Sequence, residues 1–97
     1  MGKVRLVIVE WDDSRQPDGK WQFLNSISFP KVCRCVSVGY LIEDGKDKKI
    51  LAPNCADIDN INDMQVSGII TIPSTCIRSI RQLREAKGLP LTVAGLR

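Results

Sequence analysis

Histidine is absent from the 97 residues of this chain. The commonest general base and the commonest metal ligand are therefore missing. Nucleophilic chemistry would fall to the thiols Cys33, Cys35, Cys55 and Cys76. A cysteine nucleophile is normally activated by a histidine or by a helix N-terminus. Only Cys76 has such an argument, because Ser74 or Thr75 is placed to cap a helix starting there. The plainer reading makes Cys76 a core residue of the first turn. Four cysteines match a zinc site in number. The paired C-x₂₋₄-C knuckles are absent, however, and C-x-C in a strand chelates poorly. Cys33 and Cys35 lie two apart, so in a strand they face the same way. They read as small buried hydrophobes.

Oxygen ligands fare no better. Asp57, Asp59, Asn60, Asn62 and Asp63 resemble a calcium loop superficially. Ile61 occupies the third oxygen-ligand position and the sharp-turn glycine is missing. The segment reads as a solvated acidic loop, and Asp57, Asp59 and Asp63 become candidates for contact with a protein. Asp12 and Asp13 are adjacent, so in extended chain they point to opposite sides and make no acid/base pair. The reading is of no catalytic residue, no metal and no cofactor.

Cations give a different possibility. Arg78, Arg81 and Arg84 share one flank of the predicted helix and, with Lys87, form a basic ridge. Together with Lys48 and Lys49 they are candidates to grip phosphates of nucleic acid or of a small nucleotide. Against this, the net charge is only +3. No aromatic residue interleaves the arginines and no glycine-rich phosphate loop occurs. The charge is unevenly spread: residues 51–75 carry −3 and residues 76–97 carry +4. Such a dipolar layout suits self-association or a protein partner at least as well. Trp21, beside a turn, is the best candidate for an exposed anchor.

These residues need a scaffold. Lys3 to Trp11 is rich in β-branched residues and reads as a central strand. Gln16-Pro17-Asp18-Gly19 is a turn signal, because proline presets φ and glycine accepts positive φ. Lys20 to Leu24 reads as a short returning strand, and Asn25 to Pro30 as a connection. Val32 to Ile42 is the longest strand. Its Cys33, Cys35, Ser37, Gly39 and Leu41 side is small enough for another backbone to approach closely, and Gly39 points to a bulge or bend. Residues 43–47 form a hairpin loop, and Lys48 to Ala52 pairs back until Pro53 ends it. Residues 54–65 read as an acidic loop with room for one helical turn. Val66 to Ile72 is another strand, broken by Gly68 and stopped by Pro73.

Ile77, Ile80 and Leu83 recur at three-residue spacing. This predicts a C-terminal helix over about residues 75–87, stopped by Gly88 and Pro90. The chain thus reads as one mainly β domain over residues 1–88 with one C-terminal helix and a tail over 89–97. An SH3-like or Sm-like antiparallel barrel, or a strongly bent sheet, is the first architecture. An α+β sheet with the helix on one face is the alternative. No apolar run approaches the roughly 20 residues needed to span a bilayer. Val4 to Val9 is interrupted by Arg5 and is too short for a signal-peptide core. The expected location is the cytoplasm, with no membrane contact and with free thiols.

Several segments together carry a resemblance. They are Val9-Glu10-Trp11-Asp12-Asp13-Ser14 with Trp21, then Cys35-Val36-Ser37-Val38-Gly39-Tyr40-Leu41-Ile42 with Lys49-Ile50-Leu51-Ala52-Pro53. Last comes Ser67-Gly68-Ile69-Ile70-Thr71-Ile72-Pro73, leading into Ile77 to Leu83. The pattern resembles a family of small uncharacterised accessory proteins encoded by phages and prophages. It spans most of residues 7–83, and its motifs form the fold rather than mark a reaction. The resemblance implies a non-enzymatic accessory role in a bacterial host cell. Such a protein binds and blocks or modulates a host protein, for anti-defence or regulation, with self-association into an oligomer as a further expectation. The alternative is a module that binds nucleic acid or sponges an anionic nucleotide signal.

Overall fold

A computed structural model of the chain describes residues 4–85. It is mainly β, and no α-helix occurs among the described residues. Seven strands form in chain order: β1 (Leu6–Asp13), β2 (Cys33–Asp44), β3 (Lys48–Ala52), β4 (Asn54–Ala56), β5 (Gln65–Ser67), β6 (Ile70–Pro73) and β7 (Ile77–Gln82). Five make one antiparallel sheet in the order β6-β3-β2-β1-β7, while β4 and β5 form a separate hairpin.

The sheet is open. Its two edges, β6 and β7, do not pair with each other, so the expected closed barrel is not formed. What the chain builds is an open five-strand antiparallel sheet. Only the three-residue 3₁₀ turn Ser74–Cys76 joins β6 to β7. Four chain steps reach at most about 14 Å. Five flat strands would hold their edges about 19 Å apart. The sheet must therefore curl at that end, and the 3₁₀ turn lies against β1.

Curling encloses a small core. Val7 and Val9 of β1, Leu41 of β2, Leu51 of β3 and Ile72 of β6 are buried together. Trp11, Ile70, Cys76 and Ile77 pack on them half-buried. The register shows which face of β2 is inside. Val7 lies opposite Gly39, Val9 opposite Ser37, and Trp11 opposite Cys35. The side with small residues thus faces the core, and the Trp11 indole Nε1 donates to Ser37 Oγ across it at 3.0 Å. Gly39 accommodates the close approach of β3, since a Cβ there would sit 3.1 Å from the Ala52 carbonyl oxygen. The bulge itself falls three residues later, where Ile42 is left unpaired between Leu41 and Glu43.

The predicted helix over 75–87 is a 3₁₀ turn followed by strand β7 as far as residue 82. Its three-residue apolar spacing has a β explanation. Trp11 pairs with Ile77 and Val9 with Ile80, and the register shifts between them. The bulge inserts Arg78 as the extra residue, so Ile77 and Ile80 reach the same face although three apart. With no α-helix among the described residues, neither the α+β alternative nor a helix N-terminus at Cys76 is formed there. Lys87, Gly88 and the tail 89–97 lie outside the described residues, as does the boundary at 88.

One smaller expectation also changes: Lys20 to Leu24 is not a strand, and a 3₁₀ turn spans Leu24–Ser26. The strand expected over Val66 to Ile72 does break at Gly68, giving β5, which pairs back to β4, and β6. Gly68 has φ +76°, and a Cβ there would come within 2.8 Å of Pro53 Cγ. These two residues form the neck where the β4–β5 hairpin leaves the sheet. Gly68→Ala is expected to destabilise the fold by about 2 kcal/mol, from left-handed backbone strain plus that clash. A urea midpoint unchanged from the parent chain contradicts this neck.

Candidate functional site

Between β1 and β2 the chain runs through residues 14–32 outside both sheets. This arm begins with the Asp13 carboxylate accepting from the Ser14 N–H at 2.8 Å. Its two legs are pinned at the base by Arg15 Nε, which donates to the Lys31 carbonyl at 2.9 Å. Asp18 turns the chain by accepting from the Lys20 N–H at 3.0 Å. Proline and glycine at 17, 19 and 30 keep the segment from extending the sheet.

The arm carries large apolar side chains that pack on nothing. Trp21 is fully exposed at 102%, Phe23 is 82% exposed, Leu24 83% and Phe29 80%. Trp21 is exposed, as the sequence reading expects of it; Phe23, Leu24 and Phe29 carry no such expectation. The alternation of Trp21 and Phe23 reads as a strand, and only the enclosing Pro17, Gly19 and Pro30 signal that the segment leaves the sheet. The other aromatics, Trp11 and Tyr40, are half-buried on the sheet.

A second apolar surface lies on the outer face of the sheet. Strand alternation places Ile8 and Leu6 of β1 there, beside Val38 and Tyr40 of β2. Val36 (61% exposed) and Val38 (48%) extend it. Beside it, Tyr40, Cys55, Ile58 and Met64 line an open groove of about 260 Å³ between the sheet and the hairpin. Asp57, Asp59 and Asp63 surround the mouth of a second, larger concavity at the hairpin tip. Asp63 accepts from Asn60 Nδ2 at 3.1 Å, an internal turn contact.

The candidate cations are placed differently. Arg78 and Arg81 are on the outer face with Arg34 of β2, around Glu10 and Asp12 of β1. Arg78 Nε contacts both Asp12 oxygens, at 2.8 and 2.9 Å. Arg34 lies 3.5 Å from Asp12 and 3.8 Å from Glu10, and Arg81 lies 3.7 Å from Glu10. Ser79 Oγ donates to Glu10 at 2.8 Å. The hydrogen-bonded Asp12 carboxylate, with its charge, raises the Arg78 pKa above its ordinary value. A phosphate would have to displace two carboxylates to use these arginines.

Lys48 and Lys49 belong to β3, with β2 and β1 lying between it and β7. Lys48 pairs with Glu43, and Lys49 with Asp44. The Lys49 hydrogen bond, aided by the charges of Lys49 and Arg5, holds the Asp44 carboxyl below its usual range against some desolvation. Arg84 is exposed beyond β7 and has no ion pair among the described residues. The five nominated cations therefore form no single phosphate cradle.

The thiols do not gather. Cys33 and Cys35 do face the same way, with Sγ atoms 3.8 Å apart. Desolvation, the hydrogen bond to Cys33 and the nearby Cys33 and Asp13 charges push the Cys35 thiol pKa up, away from a reactive thiolate. All four cysteines are half-buried and free rather than fully buried. Among the described residues, no three Cys, Asp or Glu side chains converge to hold a metal ion. No helix there is long and apolar enough to cross a membrane. No family model, curated protein or solved structure matches the chain.

Proposed function

We propose that this chain is a non-enzymatic, phage-type accessory protein that acts by protein contact, binding and blocking or modulating a protein of its bacterial host. The observation that carries this reading is the arm: Trp21, Phe23, Leu24 and Phe29 exposed together on one pinned segment. Scattered surface apolar residues are ordinary, but a clustered aromatic group marks an interaction site. Tryptophan and other aromatics dominate interface anchors because they bury large area with few rotors. The acidic hairpin tip with Asp57, Asp59 and Asp63 adds a charged rim that steers a partner. A module for nucleic acid or an anionic nucleotide is less well supported, since Arg78, Arg81, Lys48 and Lys49 already face carboxylates.

Photo-crosslinking in bacterial cells tests the reading. Trp21 is replaced by p-benzoylphenylalanine, with Lys46 at the β2–β3 turn as the control position. The expected result is a discrete adduct from position 21 whose mass is not a multiple of the 10.8 kDa chain, and none from position 46. Equal labelling from both positions, or none from 21, refutes the arm as the host-binding element.

A further inference from the structure

We infer that the arm also has a partner of its own kind: its tip docks on the outer sheet face and hairpin groove of a second copy, in a reciprocal two-fold dimer. This rests on reading the arm as a protein-binding element and adds the identity of one partner. A host protein that takes the arm then competes with the second copy.

Complementarity within one chain is the first argument. The same molecule carries an unpartnered apolar arm and an unpartnered apolar face formed by Ile8, Val36, Val38 and Tyr40, with the groove of about 260 Å³ beside them. The arm leaves the sheet at Asp13 and Cys33, and Tyr40 lies seven residues along β2, about 23 Å away. In its own chain the tip does not reach that groove, as the full exposure of Trp21 shows.

Charge is the second. The arm carries Arg15, Lys20 and Lys31 against Asp18, a net of +2. The hairpin over residues 54–67 carries Asp57, Asp59 and Asp63 and no cation. Arg15 and Lys31 sit at the base, so Lys20 beside Trp21 is the cation that meets the acidic rim, while the net charge of the whole arm favours the approach at both contacts of a two-fold pair.

Area is the third. Three aromatic side chains bring about 450–750 Å² per arm. One arm on one face, counting both sides, buries about 900–1,500 Å², at or below the roughly 1,600 Å² of a standard stable interface. A reciprocal pair doubles this and clears that size. The area therefore favours exchange of both arms over a single insertion.

Sedimentation velocity on the purified chain across a concentration series tests the inference. Two variants separate its halves: Trp21→Ser with Phe23→Ser removes the arm tip, and Ile58→Lys with Met64→Lys blocks the groove. Circular dichroism checks that both retain the fold. The expected result is a dimer for the parent chain, with each variant weakened more than about 100-fold, the loss of two anchor residues. An equimolar mixture of the two variants keeps one intact arm–groove contact and is expected to recover a weaker heterodimer. A parent chain that stays monomeric up to about 50 μM, where contacts this size are populated, overturns the inference. A dimer indifferent to both variants overturns it too. Neither result alters the host adduct from position 21, so the two readings fail separately.

Discussion

Leu51→Ala is expected to lower the stability of this domain by about 3 kcal/mol, the middle of the range for a buried leucine truncation. Leu51 is 1% exposed and, with Ile72, is among the largest fully buried side chains. It stands in β3 between Leu41 of β2 and Ile70 of β6, so its removal opens the centre of the sheet. The core has few other members to collapse into the gap. A fall in melting temperature of roughly 12–24 °C follows for a domain this size. Total stability of small domains is only about 5–15 kcal/mol, so the variant approaches unfolding at body temperature. Val36→Ala is the control. Val36 is also apolar and β-branched but lies on the outer face, and its change stays within about 0.5 kcal/mol. Equal melting shifts for the two variants would place the core on the wrong face of β2.

That contrast also shows what the sequence could and could not reveal. The alternation of β2 separated its two sides correctly, and Gly39 and Ser37 marked the side another backbone could approach. Choosing the inside was harder, because Val36, Val38 and Tyr40 make the outer side more apolar. Strand β1 is legible from its β-branched run ending before Pro17 and Gly19, and β3 from the hairpin loop at Gly45 and the stop at Pro53. Strand β7 was not. A bulge at Arg78 turned its two-residue period into a three-residue one, which is the spacing of a helix. A bulge is set by the partner strand, and the partner β1 lies more than 60 residues earlier in the chain.

The same non-locality hid the fate of the arginines. On the predicted helix the only acidic neighbour at helical spacing is Glu85, four residues after Arg81, and nothing local pairs with Arg78. Glu10 and Asp12 meet them only because β7 adds beside β1. Trp21 was legible because the turn signals around it are local. Its neighbours Phe23 and Phe29 were assigned to a strand and a connection, and only the exposed arm groups them.

Excising the arm is expected to leave the sheet standing and to abolish protein binding. Replacing residues 16–30 with a short glycine-rich link removes Trp21, Phe23, Leu24 and Phe29, none of which touches the buried cluster. The strands it joins keep their register, since β1 and β2 pair along their whole shared length from Leu6 to Asp13. Closing a loop costs entropy that grows by about 0.6 kcal/mol for each doubling of length. With a link of about four residues the loop falls to somewhat under half its length, which stabilises the domain by roughly 0.7 kcal/mol. Melting temperature is expected to hold or rise by several degrees, while both the host adduct and the dimer disappear. Such a result means the chain keeps a segment that weakens its own fold, which folding alone does not explain. A large drop in melting temperature would instead make the arm a structural element that the sheet needs. Its aromatics would then be covering apolar surface within the chain, and the binding role assigned to them would fall.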